Sequence, residues 1–167
     1  MNVKHTANAI YQRGFTLMEL MVVMVIIGIL TTIISGNFVQ AKLRARDAQR
    51  KNDLAQMQRA MEAYYNDHGT YPSFVVANMA WGAPFTDSAT SVTYMNQLPN
   101  DPQQPVSQFS LLVSTDGTKY HLLAHLENDK DEDKTTESNV TTRFCGSQSY
   151  CNYGVTSTNT SLSEVLQ

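Results

Sequence analysis

The sequence predicts an α+β protein: one long N-terminal α-helix, apolar in its first half and amphipathic in its second, packed on a small C-terminal antiparallel sheet. Three observations carry that expectation. Residues 15 to 34, FTLMELMVVMVIIGILTTII, are apolar except for Glu19 and three threonines. From Phe38 to Tyr65 neither proline nor glycine interrupts the chain, and Leu43, Leu54, Met57, Met61 and Tyr64 fall at three- and four-residue steps or their sums. Beyond Pro72 the pattern turns to strand, with VSQFSLLVST and TKYHLLAHL flanking Asp116-Gly117.

Composition bounds the function classes. The chain of 167 residues has room for one domain of ordinary size, and its formal charge is −3. The first fourteen residues hold Lys4 and Arg13 and no acid, so the remainder is more acidic still. An acidic body gives no support for specific nucleic-acid binding as the main role. Cys145 and Cys151 are too few for a disulfide scaffold and lack the second pair of a structural zinc site.

Taken in order, residues 15 to 34 would measure about 30 Å as a helix, one hydrocarbon thickness, and predict a membrane span. The run without acid, Leu20 to Ile34, reaches only about 22 Å, so Glu19 lies within the apolar slab or at its edge. A secretory signal peptide is the competing reading, but no convincing A-x-A-like site follows. Thr16-Leu17-Met18-Glu19 also has the form of a capping box.

The helix is expected to run from Phe15 to His68, about 80 Å if continuous, with Gly69 as its left-handed cap and Pro72 preventing resumption. Gly28 and Gly36-Asn37 make residues 28 to 37 its weakest turns. Asp47 with Lys51, and Arg59 with Glu62, are expected as ion pairs on the solvated face. Residues 73 to 105 read as a connection with one short strand or helix around Val92 to Leu98. Asp116-Gly117 predicts a type I′ hairpin turn. Shorter strands are expected at Val140 to Phe144 and Tyr150 to Val155, and the Ser/Thr/Asn-rich ending from Thr156 is expected to fray.

Arg13-Gly14-Phe15-Thr16-Leu17-Met18-Glu19 followed by an apolar helix resembles the class III signal of type IV pilins and type II secretion pseudopilins. The resemblance implies a pilin fold. It also implies that a membrane prepilin peptidase cuts between Gly14 and Phe15 and that Phe15 becomes N-methylated. Glu19, then fifth in the mature chain, would pair with a neighbouring subunit's terminal amine during assembly. Removal of the acid's insertion penalty by such pairing fits its cost in lipid, about 2.5 to 3.5 kcal/mol at a bilayer centre and less near a helix end.

The similarity extends through Arg46-Asp47-Ala48-Gln49-Arg50, Tyr64-Tyr65, Gly69-Thr70-Tyr71-Pro72 and Leu98-Pro99-Asn100-Asp101-Pro102, which resemble the major pseudopilin branch. Cys145 and Cys151 depart from that branch and are similar to the C-terminal disulfide of type IV pilins. Major pseudopilins bind calcium in a loop of this region, so the resemblance implies calcium at the acidic run ENDKDEDK, with Asp129, Asp131 and Asp133 as candidate ligands. The run is not an EF-hand, because Lys134 and Val140 stand where its glycine and final glutamate belong. A solvated, mobile acidic loop is the alternative.

The expected organisation is a leader at 1–14, the membrane half of the helix at 15–37, its amphipathic half at 38–68, an αβ loop at 69–105, the sheet with its acidic loop at 106–155 and a flexible tail at 156–167. The expected function is a structural subunit of a helical type IV pilus-like filament, a major pseudopilin acting in protein export. A major pilin for adhesion, motility or DNA uptake is the alternative within the family, and a membrane-anchored enzyme or binding protein the alternative outside it. Implied partners are further copies of the chain, the prepilin peptidase, an inner-membrane assembly platform, minor pilins or pseudopilins, and membrane lipid. The leader places Phe15 on the cytoplasmic side of the inner membrane and the C-terminal domain outside it. His121 and His125 share a strand face without a nearby third ligand, no nucleophile elbow, phosphate loop or metalloprotease motif is present, and Arg44, Arg46, Arg50 and Lys51 are expected at lipid headgroups or subunit contacts.

Overall fold

The computed structural model describes residues 14–72, 79–147 and 149–166, and for 33–37 the backbone alone. The chain divides into two compact units, Met1–Val39 and Gln40–Gln167. A single helix, α1, is assigned over Leu17–His68.

In the first unit the helix start is capped by its own sequence. Thr16 Oγ1 accepts the Glu19 amide at 3.2 Å, and Glu19 Oε2 accepts the Thr16 amide at 2.9 Å and its hydroxyl at 3.0 Å. This reciprocal capping box satisfies amides that a helix start leaves without partners. Beyond it none of the described side chains of this unit is buried. Phe15 is 88% exposed, and Leu17, Met21, Val25, Ile29 and Leu30 are all more than half exposed, so apolar surface faces outward around the helix. Among the described residues no helix is long and apolar enough to cross a membrane. The expected span includes residues 33–37, whose side chains lie outside those described.

The second unit has its own core. Leu54, Met57, Ala60, Met61 and Tyr64 of α1 are buried at helical spacing, against Phe85, Leu98, Phe109, Tyr120 and Leu122. Leu43 stays half-buried outside this cluster. Gly69, at φ +73°, ends the helix by donating its amide to Tyr65 O at 2.7 Å, the left-handed cap that a side chain would disfavour.

Two small antiparallel sheets follow. Strands β1 (Phe85–Thr86) and β2 (Thr93–Met95) pair within the expected connection, whose residues 73–78 lie outside those described. Strands β3 (Ser110–Val113), β4 (Tyr120–Ala124) and β5 (Tyr153–Thr156) form the main sheet in the order β3-β4-β5. The central strand β4 is buried along its whole length. Tyr120, Leu122 and Ala124 join the cluster of α1, while Leu123, on the other face, meets Val140, Cys145 and Cys151.

Three expectations change. Gly117 has φ +67° but Asp116 has no positive φ, so the β3–β4 connection is not a type I′ turn. Instead Gly117 donates to Ser114 O at 2.9 Å, and the Asp116 carboxylate accepts the amide and hydroxyl of Thr118, which fixes a longer loop with only its glycine left-handed. Val140 to Phe144 is not a strand: α2 (Ser138–Thr141) occupies its start, and the Thr141 and Thr142 hydroxyls bond back to Glu137 O and Ser138 O. Burial of Val140 beside the disulfide overrides its β propensity.

The described residues of the ending after Thr156 make tertiary contacts. Leu162 packs on the Leu123 cluster, Asn139 Nδ2 donates to Ser163 O at 2.6 Å, and Lys119 pairs with Glu164. Polar composition suggested a loose tail. One apolar anchor and these side-chain bonds outweigh it.

Candidate functional site

Gly14, Phe15 and Thr16 precede the first turn of α1, so the Gly14–Phe15 peptide is not locked into the helix. Among the described residues nothing lies within 4 Å of a Cβ built on Gly14. A bond of this kind, outside the helix, exposed and flanked by a residue without a side chain, is one that a protease can approach. Lys4 and Arg13 lie outside the described residues. Glu19 stands in the first turn of the helix, exposed, and among the described residues its hydrogen bonds are those to Thr16. Three described features therefore come together at one helix start: an accessible peptide bond, a fully apolar face and one acid.

The second constellation lies where α1 meets the segment after β4. Positions 46, 47, 50 and 51 share one helix face through three- and four-residue spacing. Arg50, fully buried, uses all five of its N–H donors. Nε and Nη2 hold the two oxygens of Asp101 at 2.7 and 3.0 Å, Nη1 reaches Asp47 Oδ1 at 2.9 Å and Glu127 Oε1 at 2.6 Å, and Nη2 also reaches Gln103 Oε1 at 3.2 Å. Arg46 takes Glu127 through its own fork. Asp47 completes the joint by accepting the backbone amides of Glu127 and Asn128 at 2.9 and 2.8 Å.

Burial opposes the charge on Arg50, but the bonds from Asp101 and Glu127 prevail and its pKa lies above the ordinary arginine value. Burial likewise pushes Glu127 up, and Arg46 and Arg50 together bring it below the ordinary carboxylate value. Nearby, Glu62 accepts the hydroxyls of Tyr71 at 2.9 Å and Tyr120 at 3.2 Å, tying helix to sheet. Burial and that carboxylate both raise the two tyrosine pKa values.

These contacts correct the placement of several charges. Asp47 and Lys51 do not form a solvated pair: Asp47 is buried under Arg50, and Lys51 reaches Asp131 and Asp133, each at 2.6 Å. Arg46, Arg50 and Lys51 are engaged within the chain, leaving exposed Arg44 as the member of that group that faces outward. Arg50 and Asp101 come from two motifs of the major pseudopilin resemblance, and here they bond to each other. Helical spacing puts 46, 47, 50 and 51 on one face, but their partners at 101 and 127–133 lie 51 to 82 positions away, and no local pattern in the sequence names them.

Cys145 and Cys151 are bonded and fully buried. The candidate metal residues do not converge: Asp131 and Asp133 meet at Lys51, while Asp129, 96% exposed, pairs with Lys134 at 2.9 Å. Among the described residues no three His, Cys, Asp or Glu side chains are grouped to hold a metal. His121 is buried, its Nε2 without a hydrogen-bond partner among the described residues, and His125 Nδ1 contacts Tyr150 O at 2.6 Å. As they stand, these residues do not fit calcium, which takes six to eight oxygen ligands.

Comparison with known proteins bears on the helix start. Residues 10–35 match the prokaryotic N-terminal methylation motif. Over 96 residues, 54% of this chain and 67% of the relative, the chain is 33% identical to type II secretion system core protein G of Aeromonas hydrophila. The chain belongs to the type IV pilin and pseudopilin family. The core protein G of Escherichia coli K12 is 34% identical over 98 residues, covering 54% of this chain and 66% of that protein. The type IV major pilin PilA of Myxococcus xanthus is 37% identical over 62 residues, covering 37% of this chain and 28% of that protein. No solved structure matches. Membership gives the helix start its meaning, as the methylation-motif end of a member of a structural family.

Proposed function

We propose that this chain is a major pseudopilin, a structural subunit of a helical filament that serves protein export through a type II secretion system. The observation that carries the reading is the bare apolar helix from Leu17 to Leu30 in a chain whose globular unit is already closed around its own core. Such a helix needs lipid before assembly and copies of itself afterwards. The relatives named core protein G support the export role.

In this reading the leader is removed by the prepilin peptidase at the open Gly14–Phe15 bond, and Phe15 gains a methylated amine. The anchor stays in the inner membrane with the C-terminal unit outside. Glu19 keeps its Thr16 cap and offers its remaining acceptor capacity to the Phe15 ammonium of an adjoining subunit, which sets the axial step. An assembly platform and minor pseudopilins complete the set of partners. An enzymatic role finds little support: in the hollow lined by Ser114, Asp116, Lys119 and Glu164, the lysine and glutamate are paired with each other.

Intact mass of protein extracted from membranes, with and without the peptidase, tests the first step. A mature species beginning with methylated Phe15 is expected, and one beginning after Ile34 would overturn the reading. Glu19→Gln keeps the shape and removes the charge. It should be cut normally yet give markedly fewer filaments, and a wild-type filament yield would exclude the pairing role.

A further inference from the structure

Four acids of the 127–133 segment have a basic partner within the chain. Glu127 is held by Arg46 and Arg50, Asp129 by Lys134, and Asp131 and Asp133 by Lys51. The Lys51 ammonium lies 2.6 Å from Asp131 Oδ1, 2.6 Å from Asp133 Oδ2 and 5.7 Å from the centre of the Tyr153 ring. Two carboxylates thus converge on one cationic point, at a separation within reach of calcium–oxygen distances of about 2.3 to 2.6 Å. The point is occupied by a nitrogen on a helix.

We propose that Lys51 is a built-in counter-cation that holds the 127–134 segment against α1 in place of a divalent ion, so that this segment closes without calcium.

Three further features agree. The backbone of the segment is positioned without a metal: Asp47 accepts two of its amides, Asn152 bonds both the amide and the carbonyl of Leu126, and Thr135 donates to Asn152 O. Lys51 stays charged, because its bonds to Asp131 and Asp133 outweigh the burial that disfavours its ammonium. A divalent ion at the same carboxylates would have to expel that ammonium or sit against it, and like charges this close repel strongly. The geometry concerns only the globular unit, so it stands whatever the filament exports.

The test uses the full mature chain in detergent. Wild-type melting curves in millimolar calcium and in EGTA are expected to coincide, and a midpoint raised by calcium would overturn the proposal. In EGTA, Lys51→Met should melt about 2 to 4 °C lower, a shift suited to a partly exposed pair in a chain of this size. Amide hydrogen exchange at 128–134 should quicken in that variant, while Lys51→Arg should keep most of the wild-type protection. Unchanged exchange and an unchanged midpoint in Lys51→Met would show that the ammonium does not hold the segment, and the inference would fall even if calcium proved irrelevant.

Discussion

Replacing Arg50 by methionine removes the centre of the joint between α1 and the sheet while keeping most of the side-chain volume. Asp101, whose side chain is fully buried, then loses both bonds to the guanidinium and keeps one backbone amide, that of Gln103 at 2.8 Å. Asp47 keeps the amides of Glu127 and Asn128, and Glu127 keeps Arg46, so the cost concentrates on Asp101. Removing one partner from a buried pair costs about 3 to 5 kcal/mol, because the other is left buried and charged. For a unit of this size that corresponds to a midpoint lower by roughly 10 to 20 °C. Thermal unfolding followed by circular dichroism gives the number directly. Arg50→Met with Asp101→Asn should recover a large part of the loss, since the stranded charge is gone, and Arg50→Lys should fall between, lacking the fork. A single variant within about 1 kcal/mol of wild type would refute the reasoning, the level expected of an exposed pair. So would a double variant no more stable than the single one.

Two other outcomes follow from the same geometry. Because Arg46 and Arg50 lower the Glu127 pKa in the folded state, its contribution is present in full above the unfolded value, about 4.3, and is lost as pH falls below that through the folded value. Urea midpoints should therefore be level near neutrality and decline below about pH 4.5, with a shallower decline in Glu127→Gln. Equal slopes in the two proteins would exclude Glu127 as the titrating group. The Cys145–Cys151 bridge closes a short loop of sequence separation 6, worth about 2 kcal/mol by chain entropy. Cys145→Ser with Cys151→Ser should lower stability by at least that amount, as both positions are fully buried beside Leu123 and Val140, and an unchanged denaturant midpoint would contradict it.

The sequence by itself determined what local rules govern. Helical periodicity marked Leu54, Met57, Met61 and Tyr64 as a buried stripe, Gly69 as its stop, and Thr16 with Glu19 as a reciprocal cap, because each depends on neighbours within a turn or two. The methylation motif was equally local. Tertiary structure alone decided where the charges go. Arg50 finds Asp101 across 51 positions and Arg46 finds Glu127 across 81, and no short-range pattern distinguishes these partners from solvent. Val140 reads as strand until the disulfide and Leu123 bury it in a helical turn, and the polar ending reads as loose until Leu162 finds the same cluster. Secondary structure follows from the chain's own repeat, whereas burial of a charge or a single leucine depends on which distant segment the fold brings beside it.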